Sequence, residues 1–176
     1  MQLQVLEEII SQLETNGIDY MLSGSMAMCI YTTPRFTRDF DIVVAINEDN
    51  VNRLTTFWEG RYYYSLSAIK NDIRQGRMFN VIHLETMHKI DFIVLNNTLF
   101  EQTKFARRQR KMYMNIELWV ITPEDLILSK LCWIQSYESE IQKKDINNLL
   151  TIANLDRAYL LAWIDQLALN TYDINI

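Results

Sequence analysis

Five residues in the first hundred have types and spacings that core packing does not ask for: Gly24, Ser25, Asp39, Asp41 and Asp91. Side chains one residue apart on a strand leave on the same face. In DFDIVV, 39–44, Asp39 and Asp41 therefore stand together, opposite Phe40, Ile42 and Val44. Two like charges that close raise each other's pKa unless a cation lies between them. Asp91 sits in KIDFIVL, a run apolar on both faces, where an acid is costly unless it is paired or metal-bound. Three carboxylates on sheet strands suit Mg²⁺, which takes one or two carboxylates, keeps waters and binds substrate phosphates. The plainer alternative puts Asp39 in a turn and Asp41 in solvent. Gly24 allows a tight turn after a strand, and Ser25 then stands at a helix N-terminus, where exposed N–H groups favour an anion. A serine there is also an ordinary helix cap.

Two further charges lie on apolar stripes. Leu126, Ile127, Leu131 and Ile134 surround Lys130 at helical spacing, and Ile141, Leu149 and Ile152 share a face with Asp145. Either the two residues pair between adjacent helices, or Asp145 holds Lys130 while the ammonium reaches a phosphate.

These residues need a frame of alternating elements. Apolar positions from Leu3 to Leu13 recur at helical spacing and Asn16-Gly17 closes that helix, which gives helix 2–15. Strands are predicted at 20–22, 40–46, 78–84, 89–95 and 118–121, with helices at 26–31, 49–58, 69–74 and 99–107. Thr122-Pro123-Glu124-Asp125 reads as a cap, a proline at the first helical position and an acid at the third. Three helices follow, over 123–136, 139–153 and 156–169. The expected fold is α/β in the α+β sense: a mixed sheet flanked by helices over 1–118, then a C-terminal helical region over 119–176.

Composition bounds the function. The chain has 176 residues, 49% of them apolar, enough to bury a core without disulfides or metal. Cys29 and Cys132 form neither a disulfide framework nor a zinc pattern, so a reduced cytoplasmic setting is expected. No stretch approaches a membrane span and the N-terminus lacks a signal-peptide pattern. A net charge of −5 argues against bulk nucleic-acid binding. Even so, KFARRQRK, 104–111, packs five basic residues into eight, as an RNA-tracking patch or as a solvated helix face. Tyr62, Tyr63 and Tyr64 either stack on bases or form an aromatic strand.

Gly24-Ser25, Asp39-Phe-Asp41, Lys89-Ile-Asp91, Lys130 in PEDLILSKLCW and Asp145 in KKDINNLL come in an order that resembles the polymerase-β-like nucleotidyltransferases, in particular the AbiEii-related toxins of toxin–antitoxin systems. The resemblance covers most of residues 20–150. It implies that Asp39, Asp41 and Asp91 bind Mg²⁺ and activate an acceptor hydroxyl, that Gly24 and Ser25 hold the β,γ-phosphates of a nucleoside triphosphate, and that Lys130 and Asp145 complete the nucleotide site. Arg35 and Arg38 are placed to meet triphosphate or acceptor phosphate. Relatives of this kind modify tRNA, proteins or small antibiotics, so tRNA and a cognate antitoxin protein are expected partners. The rival expectation is a catalytically idle member acting as a binding module through its helical third, where residues 119–176 hold 8 acids against 4 bases.

Overall fold

The computed structural model describes residues 2–33, 37 and 39–176. Its elements are α1 (Gln2–Thr15), β1 (Tyr20–Ser23), α2 (Gly24–Tyr31), β2 (Asp39–Val44), α3 (Glu48–Trp58), β3 (Tyr62–Tyr63), α4 (Leu66–Arg74), β4 (Met78–His83), β5 (Lys89–Val94), α5 (Leu99–Ala106), β6 (Gln109–Tyr113), β7 (Ile116–Val120), α6 (Pro123–Ser136), α7 (Glu140–Leu149) and α8 (Arg157–Gln166). The strands form one mixed sheet in the order β3-β4-β5-β2-β1-β7-β6, with β2/β5 and β1/β7 parallel and the other pairs antiparallel. The expected α/β class is the observed one.

The central strands are apolar because both of their faces are covered. Phe40, Ile42 and Phe92 are fully buried, and Phe92 packs against Phe79 of β4 and Trp58 of α3 with centroid separations of 5.1 and 5.7 Å. One cluster of buried residues runs from Val5 to Ile174, so the C-terminal helices continue the core of the sheet. The expected division after residue 118 falls inside β7, and the helical segment begins at Pro123. Its start is set locally. The Thr122 hydroxyl accepts from the Asp125 amide at 3.2 Å, and Pro123 occupies the first helical position, where no N–H is needed.

One element differs from the sequence expectation and another resolves an alternative it left open. Residues 109–113, QRKMY, form strand β6 at the sheet edge, where only one side needs a partner and polar side chains are tolerated. The tyrosine run is the short strand β3: Tyr62 is buried against His83 and Trp58, and Tyr64 meets Trp58 edge-on at 5.6 Å. That is the packed-strand alternative, with Tyr63 alone exposed. Cys29 and Cys132 form no disulfide. Among the described residues no helix is long and apolar enough to cross a membrane.

Candidate active site

The register of the central strands aligns the polar residues. Ser23 on β1 pairs with Asp41 on β2, Asp41 with Asp91 on β5, and Asp91 with Asn80 on β4. Paired residues project from one face of a sheet, and neighbouring strands lie about 4.8 Å apart. Ser23, Asp41, Asp91 and Asn80 thus form a polar row across four strands, with Asp39 and Lys89 side by side two residues along. Asp41 and Asp91 are brought together as expected from the sequence. Ser23 and Asn80 were not anticipated; the alternation of apolar and polar residues in MFNVIH was the available signal for Asn80.

Burial pushes the Asp41 pKa up first, and the Asp91 and Asp39 charges push it further, while Lys130 and Lys89 oppose the shift. The Asp91 side chain divides in two. Its Oδ2 accepts an ion pair from Lys89 Nζ at 2.8 Å, and its buried Oδ1 has no hydrogen-bond partner. That ion pair raises the Lys89 pKa against the opposing effect of burial. Asp39 is exposed at the outer end of β2.

Gly24 is positioned by a close approach. Its φ of +61° is left-handed, and a Cβ there would sit inside the Asp41 carboxylate, 2.8 Å from the Asp41 Cβ. Only glycine lets the turn between β1 and α2 close over Asp41. Ser23 is the residue at the α2 N-cap and its side chain makes no cap bond. Ser25 therefore lies within the first turn and does not cap the helix.

Lys130 and Asp145 realise the expected pair. They meet at 2.8 Å between α6 and α7, at 5% and 2% relative exposure, and Lys130 also donates to Gln142 Oε1 at 2.8 Å. Both readings of Lys130 are compatible with this geometry. The ammonium is paired, and it also borders a cleft of about 310 Å³ together with Ser23, Gly24, Ser25 and Asp41. Another cavity, of about 500 Å³, lies elsewhere, between α1 and the β4–β5 turn, and is lined by none of these groups. The smaller cleft is lined by Asp41, and Asp91 adjoins it through the β2–β5 register. Arg35 and Arg38 lie outside the described residues.

The donor set fits Mg²⁺ in chemistry: every candidate ligand is a carboxylate oxygen, Asp91 Oδ1 is buried without a partner, and the glycine turn holds Asp41 in the cleft. The expected three-carboxylate cage is nevertheless not preassembled. Among the described residues no three His, Cys, Asp or Glu side chains converge on one point. Lys89 stands among the acids and already neutralises part of their charge.

The basic run is spent internally. Lys104 is buried and donates to Glu101 at 2.7 Å, and Arg107 pairs with the buried Asp125 at 3.1 Å and covers the Tyr159 ring. Arg108 pairs with Asp19 at 3.0 Å, and Arg110 joins Glu14 and Glu117 at 2.6 and 3.0 Å. Neither an open RNA track nor a solvated helix face describes these residues. The run crosses from α5 into β6; Arg107 ties the end of α5 to α6, and Arg110 ties the sheet edge to α1.

No protein-family model and no curated protein matches the chain. Solved structures do. The chain is similar to the lincosamide antibiotic adenylyltransferase LnuA, determined with lincomycin bound, at 17% identity and a TM-score of 0.57, over 84% of this chain and 96% of that one. It is also similar to the antibiotic-resistance factor ANT(2'')-Ia at 11% identity and a TM-score of 0.61, over 95% and 93% of the two chains. The chain shares the fold of these two proteins. At these identities the likeness concerns the fold, and the chemistry rests on the residues of the cleft.

Proposed function

We propose that the protein is a Mg²⁺-dependent nucleotidyltransferase that moves a nucleoside monophosphate from a nucleoside triphosphate to a hydroxyl of a small molecule. The observation that carries this reading is the Asp41–Asp91 pair, held in register on the sheet, with Gly24 closed over one acid and Lys130 beside the same cleft. Asp41, Asp91 and the more exposed Asp39 would hold the metal. When bound, Mg²⁺ supplies charge neutralisation to the triphosphate and polarises its phosphoryl oxygens. The turn at Gly24 and Ser25 receives the β,γ-phosphates on its backbone N–H groups. Lys130, oriented by Asp145 and Gln142, offsets the charge that builds on departing pyrophosphate. The proton of the attacking hydroxyl would pass to the Asp91 carboxylate, which carries an oxygen without a partner in the fold. The oxygen–phosphorus bond to the acceptor forms as the α,β-phosphoanhydride bond breaks. In this scheme residues 1–118 supply the carboxylates and the phosphate turn, and 119–176 supply Lys130 and Asp145.

Two considerations favour a small acceptor over tRNA. A toxin-type enzyme acting on tRNA needs a basic track, and four of the five cations in 104–111 are ion-paired within the chain. The two structural neighbours described above are named as antibiotic-modifying or antibiotic-resistance proteins, and a cleft of about 310 Å³ lies within the range of small-ligand sites. The test is thermal or chemical stabilisation by nucleoside triphosphates with and without Mg²⁺. Saturation at ~100 times the dissociation constant should add ~2.7 kcal/mol, only when Mg²⁺ is present. A protein that serves only as an idle binding module without a nucleotide site would show no stabilisation.

A further inference from the structure

The cleft carries an aromatic residue that the proposed chemistry leaves unused. Leu126, Ser129, Lys130 and Trp133 all border it from α6, and their spacing of three, four and seven residues places them on one helical stripe. Leu126 and Lys130 are the buried members of that stripe and Trp133 the open one, at 50% relative exposure. Three residues of helix separate them by about 4.5 Å along the axis. One turn further on, Tyr137 meets the indole edge-on, with ring centroids 6.0 Å apart and planes at 83°, and it is itself exposed. A large ring left half exposed beside the Lys130 ammonium and the Asp41 carboxylate contributes less to the fold than a buried one would. The edge-to-face contact with Tyr137 is an arrangement that aromatic pairs favour.

From this juxtaposition we infer that Trp133, steadied by Tyr137, is the platform on which the nucleobase of the donor triphosphate stacks. The inference rests on the nucleotidyltransferase reading and adds to it the site of the base. The base is chosen over the acceptor because Trp133 follows Lys130 on the same stripe. A nucleotide whose phosphates lie between Gly24 and Lys130 carries its base to the cleft rim, whereas the acceptor must enter at the carboxylates. Stacking on an aromatic face accepts any base, and polar groups at the same cleft, Gln142 and Ser129, offer edges for discrimination.

The test compares two ligands in the presence of Mg²⁺, a nucleoside triphosphate and inorganic tripolyphosphate, on the parent, Trp133→Ala and Trp133→Phe. Trp133→Ala should weaken nucleoside triphosphate binding by about 5- to 100-fold and leave tripolyphosphate binding unchanged, and Trp133→Phe should restore most of the loss. Because the indole is half exposed, the variants should keep the parent's melting temperature within a few degrees. Equal weakening of both ligands, or no change for either, would overturn the assignment of the base to Trp133. So would a shift confined to the KM of the acceptor. Binding of neither ligand by the parent protein would remove the nucleotidyltransferase reading itself, an outcome distinct from a parent that binds both and a variant that behaves like it.

Discussion

Lys130→Ala removes one member of the most deeply buried ion pair among the described residues. Lys130 and Asp145 meet at 2.8 Å with 5% and 2% of their surface exposed, so deleting the ammonium leaves a carboxylate in the interior facing a void, and Gln142 loses its donor. Breaking such a pair costs about 3–5 kcal/mol, most of it the penalty of the stranded charge. For a chain of this length each kcal/mol moves the melting temperature by about 2–4 °C, so the expected fall is roughly 6–20 °C. Urea unfolding should show a lower midpoint with an unchanged slope, which marks a loss of stability rather than an altered unfolded state. Stability and function can then be separated. Lys130→Met with Asp145→Leu replaces both charges with apolar groups of similar bulk and should recover most of the loss. Nucleotide affinity should stay low in that double variant, because the cation at the cleft is gone. A Lys130→Ala cost below about 1 kcal/mol would refute the buried-pair account, and full nucleotide affinity in the double variant would refute a role for Lys130 in binding phosphate.

Asp41 should behave in the opposite sense. Its folded pKa is raised by burial and by its acidic neighbours, so it favours folding below its ordinary value of 3.8 and loses that contribution as pH rises through the folded pKa. Metal-free Asp41→Asn should therefore be more stable than the parent at neutral pH, with the gap closing in acid, and should lose Mg²⁺-dependent nucleotide binding; destabilisation at neutral pH would contradict this. Gly24→Ala forces a left-handed φ on a residue with a Cβ and drives that Cβ into the Asp41 carboxylate. It should cost at least about 1–2 kcal/mol in denaturation and abolish nucleotide binding, and a neutral result would mean that the turn relaxes freely. Lys89→Met removes a partly exposed ammonium from Asp91 and should tighten Mn²⁺ binding, read by electron paramagnetic resonance with nucleotide present, by about two- to fivefold; weaker binding would show that Lys89 helps the metal. Arg107→Ala should lower stability by about 1–3 kcal/mol, softened because Tyr159 and Thr122 still donate to Asp125, and a variant as stable as the parent would contradict a bracing role for the basic run.

The sequence carried most of the candidate site and less of its wiring. Asp41, Asp91, Lys130 and Asp145 were legible because each is a charge in an apolar pattern, and burying a charge demands a partner. The cap at Thr122 was legible because its signal is local. Strand β6 was not, since an edge strand needs no apolar alternation and QRKMY is dense in charge. Nor could the partners of Arg107, Arg108 and Arg110 be read: Asp125, Asp19 and Glu14 lie 18, 89 and 96 residues away and meet them only through the tertiary fold. Lys89 stands two residues from Asp91 on β5 and so on the same face, and the spacing rule that set Asp39 beside Asp41 already offered this ion pair.

The most direct test of nucleotidyl transfer is incubation of the protein and its Asp41→Asn variant with Mg²⁺ and α-phosphate-labelled nucleoside triphosphates. Separate reactions contain hydroxylated small molecules, including a lincosamide and an aminoglycoside, or total tRNA. The account predicts that the parent moves label to a small molecule, releases an equal amount of pyrophosphate and needs Mg²⁺, and that Asp41→Asn does none of these. Label appearing on tRNA would keep the chemistry and replace the acceptor. Absence of nucleotide binding at millimolar triphosphate with Mg²⁺ would contradict the account at its centre.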